Sequence, residues 1–111
     1  MIIFIFMCPA AGDSRIEESL RMASSFIGMD SLPVIVFTKG AVRCLLPGVL
    51  KGRLYEYLRV ATDLSSVNVL AEDLEEHDLT LEDLDDKLSV HLMDSSELSN
   101  LLSEGRVVVT F

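Results

Sequence analysis

Short apolar segments alternate along this chain with longer segments in which apolar residues recur at helical spacing. The apolar segments are rich in β-branched and aromatic residues and are bounded by Pro, Gly or charged residues, which is typical of buried strands. The last of them contains three consecutive valines, so we expect it to lie inside a sheet with both faces covered. The pattern predicts five strands, at residues 2–6, 34–37, 67–71, 88–93 and 106–111.

The segments between the strands predict helices. Capping boxes, in which a small polar residue is followed three positions later by Glu, mark the beginning of two of them at Ser14 and Asp94. After the third strand comes an acidic stretch that allows either short helices or a mobile loop, with helical turns anchored by Leu74, Leu81, Leu84 and Leu88. The predicted helices run from Ser14 to a cap at Gly28, over residues 41–46, through Leu54, Leu58 and Ala61 to Asp63, and from Asp94 to Gly105.

This alternation predicts one α/β domain over residues 1–111. We expect a three-layer sandwich, with a mainly parallel sheet of about five strands and helices on both faces. Ligands of such sheets meet the carboxyl ends of the strands. Any site is therefore expected among the residues that follow strands, at 8–13, 38–43, 72–73 and 94–96.

The charge is acidic overall but unevenly distributed. The formal charge is −9, which disfavours direct binding of nucleic acid, because phosphates would be repelled over most of the surface. Residues 39–59 hold five bases against one acid, whereas residues 72–86 hold nine acids and no Lys or Arg. The acidic segment lacks the glycine and the alternating ligands of a calcium loop, so we interpret it as a solvated face, with steering of a partner as the alternative.

Two cysteines, Cys8 and Cys44, are too few for a disulfide framework or a metal site. Cys8 directly follows the first strand, and Cys44 lies beside Arg43 in an apolar segment. Packing is the favoured interpretation of both thiols, and a reactive thiolate is the alternative. His77 and His91 are interpreted as structural. No dinucleotide or Walker motif is present, so no cofactor and no metal are predicted.

The apolar start of the chain, residues 1–7, has no basic region before it and ends at Pro9 and Gly12. It is too short for a signal peptide or a spanning helix, so we expect a cytoplasmic protein with no membrane partner. Half of the residues are hydrophobic. In a domain of this size, that proportion favours some apolar surface covered by a partner, although a sheet buried on both faces gives the same average.

Taken together, the landmarks resemble the DsrE/DsrF-like family, nearest to its DsrF/TusC-type subunits. The likeness extends over nearly the whole length, and the order and spacing of the landmarks carry it. They are the strand 2–6 leading into Pro9-Ala10-Ala11-Gly12, the strand 34–37 followed by Gly40-Ala41-Val42 and Leu45-Leu46-Pro47-Gly48, and the ending Arg106-Val107-Val108-Val109-Thr110-Phe111.

The resemblance implies a cytoplasmic α/β sandwich that associates with related DsrE-like subunits, or with itself, in complexes that pass persulfide sulfur toward tRNA thiolation or sulfur oxidation. In active subunits a cysteine near the end of the third strand carries the sulfur. The corresponding stretch here, residues 68–71, contains no cysteine. The resemblance therefore implies a subunit that is not catalytic by itself.

Two other functions remain open from the residues. One is a stand-alone sulfurtransferase or thiol-redox protein that uses Cys8 or Cys44. The other is a small-molecule-binding homo-oligomer, which rests on analogy with other folds of this class.

Overall fold

The computed structural model describes residues 2–7, 18, 21–22, 33–64, 66–104 and 107–110. These residues contain the five predicted strands, and each strand pairs in parallel with its neighbours. The strands are β1 (Ile2–Phe6), β2 (Val34–Phe37), β3 (Ser66–Leu70), β4 (His91–Met93) and β5 (Val107–Thr110). Their order in the sheet is β4-β3-β2-β1-β5, which confirms the predicted parallel α/β architecture.

The connections contain three described α-helices and two 3₁₀-helices. The acidic segment forms short helices, one of the two alternatives allowed by its leucines. Of the predicted helix from Ser14 to Gly28, only Glu18, Arg21 and Met22 are described, and all three are helical; the rest lies outside the described residues. The described helices are α1 (Gly52–Leu64), α2 (Ala71–Glu76) and α3 (Ser95–Glu104), with 3₁₀-helices at Lys39–Leu45 and Leu81–Asp83.

One face of the sheet carries the main hydrophobic core. Residues in register on neighbouring parallel strands point to the same face, and the row Phe6, Phe37 and Val69 is fully buried. The rings of Phe6 and Phe37 meet edge to face, with centroids 4.8 Å apart and planes at 80°. The first 3₁₀-helix and α1 supply the opposite side of this core, chiefly through Leu45 and Leu58.

The other face is also covered at its centre, because Ile3 and Val36 are fully buried there. Asn68 lies in register with Val36, and its Nδ2 donates to the backbone oxygen of Ile35 at 3.3 Å. The crossover from β4 to β5 runs across the sheet in the direction opposite to that from β2 to β3, so the right-handed rule puts α3 and α1 on opposite faces. The sheet therefore lies in the middle layer of a three-layer sandwich.

Two strand predictions need correction. The valine-rich β5 is not inside the sheet: it is an edge strand that pairs with β1, and Val108 is 43% exposed. Strand β4 covers only His91–Met93 instead of residues 88–93. Leu88 is buried in the core from an irregular segment that precedes the strand. A run of apolar residues reports burial, but it does not distinguish a strand from a buried loop or an inner strand from an edge strand.

Within the described ranges, no helix combines the length and the apolar character that a membrane crossing requires.

Candidate functional site

The carboxyl ends of the strands are joined to one another by polar contacts. Thr38, the first residue after β2, is 5% exposed and contacts the end of β1. Its backbone N–H donates to the Phe6 oxygen at 2.9 Å, and its Oγ1 donates to the same oxygen at 3.3 Å. A hydroxyl placed here satisfies its own hydrogen-bonding need and holds the two central strand ends together.

The next contact joins β2 to β3. Lys39 has a positive φ of 52°, and its backbone N–H donates to Oδ2 of Asp73 at 2.7 Å. Asp73 lies in the first turn of α2 and is 7% exposed. A carboxylate that accepts a short bond from a backbone N–H gains a charge-assisted interaction, so Asp73 has a structural role in this edge.

A third contact joins β3 to β4. Oε1 of Glu72 accepts bonds from the backbone N–H and the hydroxyl of Ser95, at 3.2 and 3.0 Å. The backbone N–H bond from Ser95 is the main cause that lowers the pKa of Glu72. Asp94 Oδ1 accepts from the Glu97 N–H at 2.7 Å, which confirms the predicted beginning of this helix. Two carboxylates thus cover the first turn of α3.

This edge presents carboxylates and hydroxyls, and the strand-end residues in the described part of the chain include no thiol. Strand β3 leads into α2 without a connecting loop, since Leu70 is followed directly by the first helical residue, Ala71. Both of these residues are half-buried. The stretch 68–71, to which the resemblance assigns the sulfur-carrying cysteine, therefore holds an amide and apolar side chains at the end of a central parallel strand.

Of the two candidate thiols, the structure describes Cys44. Cys44 is 1% exposed and belongs to the main hydrophobic core, within the first 3₁₀-helix. A side chain in that position meets no solvent-borne reactant unless the helix moves away from the sheet. Cys8 lies outside the described residues, so its candidacy stays a prediction from the sequence.

The two histidines lie in different parts of the fold. His77 follows α2, where its Nδ1 accepts a bond from Nε of Arg43 at 3.2 Å. This contact joins the basic first 3₁₀-helix to the acidic segment. His91 is exposed on the edge strand β4. No group of three His, Cys, Asp or Glu side chains that could hold a metal ion occurs among the described residues.

A separate pocket of about 490 Å³ lies between the segments 47–52 and 85–87, and Tyr55 also lines it. The Tyr55 hydroxyl donates to Oδ2 of Asp85 at 2.9 Å. Partial burial, with this bond and the Asp85 charge adding to it, raises the pKa of Tyr55. Sequence reasoning missed this pair, because 30 positions separate the two residues and neither belongs to a motif.

Solved structures of other proteins share this architecture over their whole length. The ychN protein from E. coli matches with a TM-score of 0.78 at 19% identity, covering 99% of this chain and 97% of that chain. The protein of unknown function MTH1491 from Methanobacterium thermoautotrophicum matches with a TM-score of 0.75 at 14% identity, again covering 99% and 97%. No protein-family model and no curated protein matches the chain.

At these identities the likeness concerns the backbone and not the chemistry of particular side chains. It extends over nearly the whole of each chain. The chain therefore has the fold of these two proteins.

Proposed function

We propose that this chain is a non-catalytic subunit of a DsrE/DsrF-like sulfur-relay complex, nearest to the DsrF/TusC type. Its role is to assemble with related subunits that carry the persulfide, toward tRNA thiolation or sulfur oxidation. The cytoplasm is the expected compartment. The fold, which two solved proteins share over 99% of this chain, is compatible with this proposal.

The composition of the β3 end carries the proposal. A persulfide needs a sulfur atom at its carrier position, and residues 68–71 supply none. The next carboxylates along the chain, Glu72 and Asp73, are already engaged with Ser95 and Lys39. The carboxylates at this edge of the sheet thus form hydrogen bonds within the fold. This arrangement supports a structural subunit over a sulfur carrier.

Exposed apolar side chains support association. On α1, Val60 is 41% and Leu64 is 56% exposed, and one helical turn separates them on the same side of the helix. On the edge strands, Leu92 is 48% and Val108 is 43% exposed. Single exposed apolar residues are ordinary, but apolar residues exposed on α1 and on the strands at both edges of the sheet suit a chain whose partners cover part of its surface.

Native mass spectrometry of the tagged protein, recovered gently from its own cells, tests the proposal. The expected result is a stable complex with related DsrE-like chains that have a cysteine at the end of their third strand. A chain that stays monomeric at micromolar concentration and recovers no related protein would contradict the proposal, since specific interfaces bury roughly 1,200 Å² or more and persist through such a recovery.

A third outcome is a homo-oligomer without related chains. That result would replace the relay subunit with a stand-alone protein and would direct attention to Cys8, because Cys44 is enclosed by the core. The rate of alkylation of each thiol as a function of pH then shows whether that thiol is reactive. A reactive thiolate titrates well below the ordinary cysteine value of about 8.5, whereas a packed thiol does not.

A further inference from the structure

We propose that the outer edge of β5 pairs with the same edge of a second copy of this chain, which joins two sheets into one. Among the described strands, β5 (Val107–Thr110) pairs with β1 only, and their register is continuous over all four residues. This contact is independent of the sulfur-relay proposal, because identical chains alone make it.

The backbone of β5 defines what kind of segment covers its outer edge. In a strand, backbone N–H and C=O groups point to both sides, and β1 pairs with the groups on one side of β5. The groups on the other side have no strand partner in the part of the chain that the structure describes. Another extended backbone offers donors and acceptors at the matching spacing, so the occupant of this edge is a strand.

Strand β5 lacks the charge, the proline and the bulge that keep other edge strands apart. It contains no charged residue and no proline, and its one-to-one register with β1 leaves no bulge. Val108, in register with Ile3, is 43% exposed on the face opposite the main core. Thr110 is exposed as well. An uncharged, β-branched edge of this kind favours pairing with another strand.

The other edge of the sheet is less suited to self-pairing. Strand β4 (His91–Met93) has three residues, and the exposed Asp94 follows it directly. The acidic segment, residues 72–86, belongs to the crossover that leads into this strand. Two copies that met along β4 would bring their acidic segments next to the contact, and like charges repel. Self-pairing is therefore favoured at β5 and opposed at β4.

The charge distribution of the whole chain makes a second copy a suitable occupant of the β5 edge. In the strand order β4-β3-β2-β1-β5, the two edge strands are four strand spacings apart, about 19 Å. Pairing of β5 with β5 about a two-fold axis therefore puts the two acidic segments toward opposite ends of the joined sheet. Their separation then exceeds the screening length of about 8–10 Å, so the net charge of −9 on each copy opposes this contact little.

Sedimentation equilibrium of the purified full chain tests this pairing. Four residues per copy make an interface smaller than the roughly 1,200 Å² of a standard one, so we expect a reversible dimer with a dissociation constant of about 10–100 µM. The dimer should persist when the salt concentration rises from about 0.1 to 1 M, because the paired strands carry no charge. A dimer held by contacts between basic and acidic segments would instead dissociate in salt.

A lysine on each edge strand distinguishes the two edges. Val108→Lys should weaken the dimer at least about tenfold, because an ammonium group from each copy then lies at the contact. Leu92→Lys is the matched control: Leu92 is 48% exposed on β4, so the same charge is added to the other edge. It should change the dissociation constant less than about twofold. Circular dichroism shows whether each variant is folded.

Hydrogen exchange of the wild-type chain tests the same contact without a substitution. Raising the protein concentration through the dissociation constant should slow the exchange of amides in residues 107–110 and leave those in residues 91–93 unchanged. A chain that stays monomeric up to about 500 µM, dissociation by salt, an equal effect of the two lysine variants, or no concentration-dependent protection of residues 107–110 would each overturn the proposal.

Discussion

The backbone N–H of Lys39 donates a 2.7 Å hydrogen bond to Oδ2 of Asp73, and this bond joins the turn after β2 to the first turn of α2. Lys39 adopts a positive φ of 52°, a left-handed conformation that costs a non-glycine residue about 1–2 kcal/mol. The bond contributes to holding that conformation. It also gives the nearly buried Asp73 carboxylate a partner at the carboxyl edge of the sheet.

Removing this carboxylate should destabilise the fold. Asp73→Ala leaves the Lys39 N–H without its acceptor, and we expect the free energy of unfolding to fall by ~1–3 kcal/mol. Asp73→Asn keeps an acceptor oxygen and should cost less. Urea unfolding followed by circular dichroism measures both variants. Glu75→Ala, an exposed change in the same helix, is the control, and an Asp73→Ala loss no larger than the control loss would contradict a structural role for Asp73.

The Glu72–Ser95 contact should make stability depend on pH. The bonds from Ser95 lower the pKa of Glu72 below its ordinary value of 4.5. A lowered folded-state pKa gives stability that is fully present above pH 4.5 and is lost as the pH falls through the folded-state value. Unfolding curves of the wild type and Glu72→Gln, recorded from pH 7 to pH 3, should therefore converge toward the acid end.

Glu76→Gln provides the matched comparison for this titration, because Glu76 is exposed in the same helix α2. If the Glu72→Gln difference from the wild type does not change with pH more than the Glu76→Gln difference does, the hydrogen bonds from Ser95 do not stabilise the charged form of Glu72 in solution.

Tyr55 should ionise at a higher pH than an ordinary tyrosine. Partial burial and the Asp85 carboxylate raise its pKa above the ordinary 10.0, so the neutral hydroxyl is favoured in the folded chain. The linked stability is present below pH 10.0 and is lost as the pH rises through the folded-state pKa. In a Tyr57→Phe background Tyr55 is the one remaining tyrosine, and its ultraviolet titration reads this pKa directly.

One further substitution tests how much the Asp85 charge contributes to the raised pKa of Tyr55. Asp85→Asn removes the negative charge but retains an acceptor for the hydroxyl, so the Tyr55 titration should move to lower pH. Circular dichroism at each pH establishes that the chain is still folded. An unchanged midpoint in Asp85→Asn would mean that the negative charge of Asp85 does not contribute to the raised pKa of Tyr55.

Cys44 should be protected from alkylation in the native protein. It is 1% exposed within the main core, so reagent reaches it only after local or global opening. Its modification, followed by peptide mass spectrometry so that Cys8 is counted separately, should be slower by orders of magnitude than in guanidinium chloride. Rapid modification of native Cys44 at neutral pH would instead favour the thiol enzyme considered from the sequence.

Much of the fold follows from local patterns. The apolar runs at residues 2–6 and 34–37 match β1 and β2 in full, because a strand buried on both faces needs apolar residues at every position. The segment after Pro47 becomes α1 because its apolar residues repeat at helical spacing. The absence of a thiol at residues 68–71 is likewise a property of the sequence, and it carries the proposed function.

Strand β5 shows that a local sequence pattern does not predict the position of a strand in the sheet. Three consecutive valines indicate burial, yet the strand lies at the sheet edge with Val108 exposed, since strand order depends on how the crossovers run. The residues of a strand indicate how apolar its surroundings are. They do not indicate which other strand or helix lies beside it.

By itself, then, the sequence determined a parallel α/β domain, most of its elements and the lack of a sulfur carrier at the end of β3, because these depend on residues close together in the chain. Only the tertiary structure decided the contacts of Asp73 with Lys39 and of Tyr55 with Asp85, which join residues 34 and 30 positions apart. Parallel strands bring their carboxyl ends to one edge, and the crossovers pack the intervening segments together on the sheet. Partners distant in the chain thus meet through the packing of whole elements, which no local spacing encodes.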